Sequence, residues 1–408
     1  MEFSMEIKGD NMRFHILGLV HLPCTKEYIS CAFTQKNYKL CEMLLSLGHE
    51  VFYYGAEGST VPCTEFIQTH TLNDIRDEWG DGDNRFEIGY DWKSADGYRH
   101  DFTTATLTTQ KYIAICIEEI NKRKRPDDFL DATMGLYHKP IADEVGLYLT
   151  IESGIGYFGS YCNFRAFESA FMESYTYGAE NGKNCPDGKF YDRIIPNYFV
   201  DSEFEFSEEK EDYYLYIGRI LLRKGLVIAA QTCDAAGVKL KIAGTGGIVT
   251  PEGWLTNESG DFKIPPGTWE YVGMADIEKR KALLKNAIAT LVPTQYLEPF
   301  AGTHIESMLS GTPVITTTFG VFAGNTYESG VHGFKCNTLQ DFVDAIEKVK
   351  DLDNKAIRKH AEQYLTDNVK MQYEKWFQEL YSVYLSTINP DEGYGWPALN
   401  NKTTTKGV

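Results

Sequence analysis

The chain has 408 residues, of which 43% are hydrophobic and 24% charged, and its formal net charge is −18. This composition is ordinary for a globular protein, and at roughly 150 residues per domain it makes room for two or three. The acidic balance repels phosphate backbones and disfavours nucleic acid as a partner, and no run approaches the roughly 20 apolar residues of a membrane helix.

The opening MEFSMEIKGDNM is polar and acidic, unlike a secretory signal, and the first strand is expected near Arg13. The nine cysteines are scattered with no CxxC pair, the pattern of neither a disulfide framework nor a zinc site. They fit reduced thiols in a cytoplasmic protein.

In chain order, the apolar run 14–20 predicts a strand. Leu40, Met43, Leu44 and Leu47 predict a helix closed by Gly48, and 51–54 a second strand. Strand, helix, strand is a βαβ unit, and such units build parallel sheets. A helix over 112–120 ends in Lys122, Arg123, Lys124 and Arg125 before Pro126, a helix stop rather than a nucleic-acid patch. Strands are expected at 129–132 and 147–151. Residues 201–212 (DSEFEFSEEKED) are acidic and read as a linker.

A second series then begins. It comprises strand 213–217, helix 224–236, strand 239–243, helix 278–286, strand 287–292, helix 303–310 with Gly311 as its C-cap, strand 313–316 and helix 341–349. Residues 247–268, rich in Gly and Pro, read as an inserted loop or small hairpin. A helix over 371–385 carries many aromatic residues, and the tail from 389 looks partly disordered. The fold class expected is α/β, with two Rossmann-like domains facing across a cleft and ligands at the carboxyl ends of the strands.

Two motifs carry chemistry. GRILLRKG, residues 218–225, follows a strand and opens a helix, placing Arg219 and Lys224 on one loop beside a helix N-terminus. That suits a diphosphate, with a solvated basic turn as the alternative. In QYLEPFAGTHIESMLSGTPVI, residues 295–315, Glu298 lies on the loop after a strand and Glu306 eight positions on, inside the next helix. A loop carboxylate can accept hydrogen bonds from sugar hydroxyls and one in the helix those of a ribose. Phe300, Ala301 and Gly302 let backbone approach a ligand.

These motifs, with AGTGG at 243–247 and GTPVI at 311–315, resemble the retaining GT-B glycosyltransferases of family 4, the glycosyl transferases group 1. That family reads G-R-(x)n-K-G, A/G-x-G, E-x-F-G-x4-E-A and G-x-P-V-I. LLSLGHEVFYYG also resembles the family's L-x3-G-H-E-V. The resemblance implies a GT-B fold whose terminal helix crosses back onto the N-terminal domain. It gives an acceptor domain over 1–205 plus helix 371–388, a nucleotide-sugar domain over 206–370 and a tail over 389–408. By the same resemblance Arg219 and Lys224 hold the donor diphosphate, with Gly244 in the second glycine loop. Glu306 holds the ribose, and Glu298 the donor sugar, with backbone of Phe300, Ala301 and Gly302 nearby. The chain departs from the family at Ala301, where a glycine is usual, at Ser307, and in the longer loop 319–330.

The N-terminal half is expected to hold the acceptor. In TIESGIGYFGSYCNFRAFES, residues 150–169, Glu152 stands where family members often place a histidine facing the reacting sugar. It is read either as a base or acceptor ligand or as a capping carboxylate. Gly154, Gly156 and Gly159 permit a tight loop. Tyr157, Tyr161 and Phe164 either stack on a sugar or pack in the core. The loop 21–35 offers Thr25, Lys26 and Thr34 to phosphate or acceptor, and His138 reads as a surface helix residue.

The reaction expected is transfer with retention from a nucleotide-sugar co-substrate, UDP- or GDP-linked, to a saccharide or small glycoconjugate. No cofactor and no metal are expected, with fixed cations replacing a divalent ion. Asp81-Gly82-Asp83 has the spelling of a metal motif but reads as a turn. The alternatives are a transferase acting on a modified base in DNA and a nucleotide-sugar epimerase of similar fold. AGTGG, followed by Pro251, is a poor dinucleotide motif.

Overall fold

The computed structural model describes residues 11–27, 31–79, 104–181, 188–324 and 326–388. The lead-in before residue 11, Asp81-Gly82-Asp83, Cys185 and the tail from 389 lie outside the described residues. The chain forms two compact units. The first takes residues up to Glu168, Met172–Pro196 and the chain from Val369; the second takes Ser169–Phe171 and Asn197–Asn368.

The first unit is built on strands β1 (Arg13–Leu17), β2 (Glu50–Ala56), β3 (Glu65–His70), β4 (Phe129–Asp131), β5 (Leu149–Ile155), β6 (Phe164–Phe167) and β7 (Arg193–Ile194). All pair in parallel in the order β3-β2-β1-β4-β5-β6-β7. Its helices are α1 (Ala32–Ser46), α2 (Leu72–Trp79), α3 (Leu107–Arg123), α4 (Lys139–Val145) and α5 (Ala170–Asn181). Both faces of the central strands are buried, as is usual in all-parallel sheets, so the polar residues they carry, His15, Asp131 and Glu152, are buried too. The cations at the end of α3 serve the helix: Arg123 pairs with Glu119 at 2.5 Å and with Glu65 at 2.7 Å.

The second unit contains β8 (Tyr214–Ile217), α6 (Leu226–Ala236), β9 (Leu240–Ala243), β10 (Gly247–Val249), β11 (Leu255–Asn257) and β12 (Trp269–Gly273). They are followed by α7 (Ile277–Asn286), β13 (Thr290–Val292), α8 (Thr303–Leu309), β14 (Val314–Thr316), β15 (Gly333–Lys335), α9 (Leu339–Lys348) and α10 (Asn354–Ala361). Its parallel sheet runs β12-β9-β8-β13-β14-β15, while β10 and β11 form a separate antiparallel hairpin within residues 247–268. Counting only the strands of each parallel sheet, the second has the order 3-2-1-4-5-6, and the first has the same order with a seventh strand added at its end, the doubly wound Rossmann arrangement.

The last helix, α11 (Thr366–Ile388), belongs to the first unit from Val369 onward. Its aromatic residues complete that unit's core. Phe377 lies 4.8 Å from Phe14, which stacks on Phe129 at 4.8 Å, and Trp376 donates to the Tyr191 carbonyl at 3.0 Å. His49 and Glu374 pair at 2.8 Å. Each such buried aromatic is worth about 1.5–3 kcal/mol.

Residues 201–212 are not a free linker. Asp201–Glu203 form a short 3-10 turn, Phe204 is buried with Phe199, Ile305 and Met308, and Glu211 donates its amide to the Asn286 carbonyl at 2.7 Å. The acidic side chains largely face water while Phe204 among them reaches the second unit's core. Among the described residues no helix is long and apolar enough to cross a membrane.

Candidate active site

In each sheet the strand order reverses beside the first strand, and ligands of such sheets bind beyond the carboxyl ends at that point. In the second unit the reversal lies between β8 and β13. Gly218 follows β8, a 3-10 turn spans Leu222–Lys224, and Gly225 opens α6 with φ +80°. A β-carbon on Gly225 would overlap the Pro293 carbonyl, and one on Gly244 (φ +150°) would overlap that of Gly218. Both glycines therefore let the GRILLRKG and AGTGG loops press against neighbouring backbone. Arg219 is exposed and forms no side-chain hydrogen bond or ion pair with the described residues.

Lys224 is engaged. Its Nζ donates to Glu298 Oε1 at 2.7 Å and to the Tyr296 hydroxyl at 2.9 Å, and lies 4.8 Å from the Tyr296 ring centroid. The Tyr296 hydroxyl in turn donates to Glu298 Oε2 at 2.5 Å. Burial and the Glu298 charge push the phenol well above its usual range. Glu298 is only 4% exposed, so a lysine partner is what makes its charge tolerable there. The structure thus joins Lys224 and Glu298, which the sequence treats as separate contacts, and adds Tyr296. The available signal was spacing: two residues before Glu298 on an extended loop places Tyr296 on the same side.

After Glu298 the chain turns through Phe300, Ala301 and Gly302 into α8. The Phe300 side chain is buried against Phe199 and Tyr364, so only its backbone faces the loop. Ala301 has φ +61°, where the family usually has glycine. The carboxylate of Glu306, on α8, pairs through Oε2 with Arg280 of α7. Its Oε1 lies 3.9 Å from where a β-carbon on Gly302 would stand. Nothing in the sequence links Arg280 to Glu306. The longer loop 319–330 packs onto this turn: the Val321 amide donates to the Glu298 carbonyl at 3.1 Å, and Phe322 is fully buried.

In the first unit Glu152 lies in β5 and is fully buried. Oε1 accepts the amides of Tyr161 at 2.6 Å and Cys162 at 2.8 Å, and Oε2 accepts the Tyr157 hydroxyl at 2.8 Å. Burial raises its pKa despite these bonds. A carboxylate so enclosed holds its own loop together. Both oxygens are engaged within the 152–162 segment, the arrangement that the capping alternative expects. The Tyr157 hydroxyl is spent on Glu152, and its ring packs beside Phe33; Phe164 is core. The aromatic side chain this loop does expose is Phe158, which packs against Tyr175 with ring centroids 4.9 Å apart.

The glycines of this loop admit an ion pair. Lys36 Nζ donates to the Gly154 carbonyl at 2.5 Å and pairs with Glu168. A β-carbon on Gly154 would overlap Lys36, and one on Gly156 would overlap the Glu168 carboxylate. Asp131, fully enclosed, accepts the Ser153 amide at 3.1 Å, and burial pushes its pKa up to about 7.

Two further expectations are corrected. The loop expected over 21–35 gives way to α1 at Ala32, so Thr34 is a buried helix residue. Thr25 and Lys26 remain in the loop, and their carbonyls accept the Gln35 side-chain amide at 3.0 and 3.3 Å. His138 is no surface residue. It is completely buried at the start of α4, where burial lowers its pKa to about 3. Among the described residues no group of three or more His, Cys, Asp or Glu is placed to hold a metal ion.

Comparison with known proteins bears on the second unit first. Residues 200–372 match the family model for glycosyl transferases group 1. A glycogen synthase of Mycobacterium tuberculosis is 32% identical over 127 residues, 30% of this chain and 29% of that protein, so the chain matches less than a third of its curated relative's length. Among solved structures, sucrose-phosphate synthase from Thermosynechococcus elongatus superposes with a TM-score of 0.62 at 13% identity, covering 91% of this chain and 100% of the other. AviGT4, a glycosyltransferase involved in avilamycin A biosynthesis, gives 0.57 at 19% identity, covering 91% and 98%. Anabaena HepE, solved with UDP and glucose, gives 0.55 at 11% identity, covering 90% and 99%. Residues 200–372 thus resemble the glycosyl transferases group 1, over less than half of the chain, and the chain takes the GT-B fold that these solved structures share.

Proposed function

We propose that the chain transfers a glycosyl group from a nucleoside-diphosphate sugar, UDP- or GDP-linked, to a hydroxyl of a saccharide or small glycoconjugate. Transfer proceeds with retention of anomeric configuration and without a metal ion or cofactor. The observation that carries this reading is the Lys224–Tyr296–Glu298 set beside the unpaired Arg219. An ammonium has three donors; two are committed to Tyr296 and Glu298, and the third is left for a phosphate oxygen. Arg219 has its whole guanidinium to offer. As the bond from the anomeric carbon to the diphosphate breaks, negative charge builds on the leaving oxygen, and two fixed cations stabilise it without reorganising. The acceptor hydroxyl enters from the face that the diphosphate leaves.

Glu298 receives the transferred sugar's hydroxyls, and Glu306 those of the ribose. Thr25 and Lys26 are left as candidates for acceptor contact in the first unit. The free thiols of the eight described cysteines support a cytoplasmic setting.

The test is a thermal-shift panel with UDP, GDP, ADP, CDP and dTDP, followed by transfer assays in EDTA with the product's anomeric configuration read by NMR. A ligand at 100 times its dissociation constant stabilises by roughly 2.7 kcal/mol, so one base stands out. An inverted product, or activity that vanishes in EDTA and returns with Mn²⁺, overturns the corresponding part. Release of free sugar or an isomerised nucleotide-sugar without acceptor would turn the reading toward an epimerase or hydrolase.

A further inference from the structure

Ala301 is the one non-glycine residue among the described residues with a left-handed backbone. Its β-carbon makes that conformation unfavourable, and such residues persist only where the surroundings over-determine them. Here the Ala301 carbonyl accepts two hydrogen bonds from one residue. The His304 backbone amide donates at 3.1 Å and its ring Nδ1 at 2.6 Å. A carbonyl only accepts, so Nδ1 carries the proton. The ring is completely buried among Phe300, Phe322 and Tyr327, and its Nε2 has no partner. As a packing residue this histidine is a poor choice, because an apolar side chain fills such a cage without stranding a nitrogen. What the imidazole adds is its grip on the Ala301 oxygen. Burial lowers its pKa to about 4, so it stays a neutral donor near neutral pH.

We propose that His304 is a positioning residue that clamps the Ala301 turn, and so sets the spacing and aim of Glu298 and Glu306 on its two sides. The inference rests on the donor-binding role given above to those two glutamates. Glycine enters the left-handed region freely and needs no clamp. Ala301 and His304 together take the place of the glycine usual in this family.

The experiment compares His304→Leu, His304→Asn and the double variant Ala301→Gly/His304→Leu with Glu306→Gln, all in the full chain. Calorimetry uses whichever of the five nucleoside diphosphates raises the wild-type melting temperature. Leucine fills the cage but removes the donor; asparagine keeps an N–H near the place of Nδ1 but leaves a void. His304→Leu is expected to melt close to wild type yet bind the nucleotide about tenfold more weakly, equivalent to about 1.4 kcal/mol. His304→Asn is expected to melt lower yet bind as wild type does, and the double variant to recover the lost affinity. A merely structural histidine gives the reverse order, with affinity following melting temperature and Ala301→Gly restoring nothing; either result overturns the inference. If Glu306→Gln binds the nucleotide normally, or no nucleotide shifts the wild type, the donor-site reading itself has failed and the clamp falls with it.

Discussion

Two buried glutamates, one in each unit, each give an oxygen to a tyrosine hydroxyl, and their remaining partners set them apart. Glu152 accepts Tyr157 on Oε2 and two backbone amides on Oε1. Glu298 accepts Tyr296 on Oε2 and the Lys224 ammonium on Oε1. Neutral donors satisfy a carboxylate without cancelling its charge, and burial drives Glu152 toward the protonated form. A cation cancels the charge, and the exposed Arg219 leaves positive potential to spare beside it. Burial and a tyrosine contact do not by themselves mark a reactive carboxylate. The proposed function turns instead on the charge of the remaining partner and on an uncommitted cation nearby.

The largest effect expected lies on the ionic side of that contrast. Lys224→Ala should lower kcat/KM by about 10²–10³-fold, the usual loss when a fixed donor to transition-state charge is removed. Glu298→Gln should be comparably slow while keeping free nucleoside-diphosphate binding, because contacts to the sugar tighten as charge builds on the ring. As direct partners the two should couple, so the double variant is far less damaged than the product of the singles. Steady-state kinetics measures all three. The comparison breaks if Glu152→Gln, still folded, loses turnover as deeply as Glu298→Gln.

Arg219→Ala should weaken nucleoside-diphosphate binding by about 1.5–3 kcal/mol, the range for hydrogen bonds to charged groups. The ligand-free melting temperature should not move, since the side chain has no partner to lose. Calorimetry and thermal denaturation read the two halves of this prediction, and unchanged binding removes Arg219 from the site.

The first unit offers a pH test. Asp131 has its pKa pushed by burial from 3.8 up to about 7, so between those values the folded chain holds a proton that the unfolded chain has released. Stability from this group is fully present below the unfolded pKa and is lost as pH rises toward 7. Asp131→Asn cannot titrate. In urea unfolding, the stability of wild type relative to this variant should therefore fall as pH rises through that window. A constant difference means that Asp131 is ionised throughout.

The smallest effect is assigned to Glu152→Gln. The amide oxygen can still accept the two backbone N–H groups, and the Tyr157 hydroxyl can rotate to accept from the new amine. A loss of about 1 kcal/mol of stability is expected, with nucleoside-diphosphate binding intact. A larger loss, measured by urea, would mean that charge rather than hydrogen bonding holds the 157–162 loop.

The proposed donor side was legible because its parts are consecutive. Arg219, Lys224, Glu298 and Glu306 lie in two short motifs, and Gly225 and Gly311 punctuate them as glycines at left-handed positions do. What escaped was tertiary. Arg280 meets Glu306 from another helix, and Glu152 meets amides nine and ten residues later, in a segment that also holds β6. The strands β3, β6, β7, β12 and β15 went unread, while the central strands were found. His138 looked like a surface residue because a lone histidine near lysine and proline says nothing of Tyr112 on α3 or of the Gly18 backbone beside it.

The route of the chain through its two units sets an order of assembly during synthesis. The second unit, apart from Ser169–Phe171, is one continuous stretch, Asn197–Asn368, whereas the first unit needs residues from Val369 onward. Domains generally fold as units as the chain emerges, yet here the part made first cannot be finished first. Until α11 leaves the ribosome, Phe14 and Phe129 lack Phe377, and His49 lacks Glu374. The nascent chain carries an uncovered apolar seam for the whole time the later unit is being made, a window in which chaperones or premature termination would act on the first unit and spare the second.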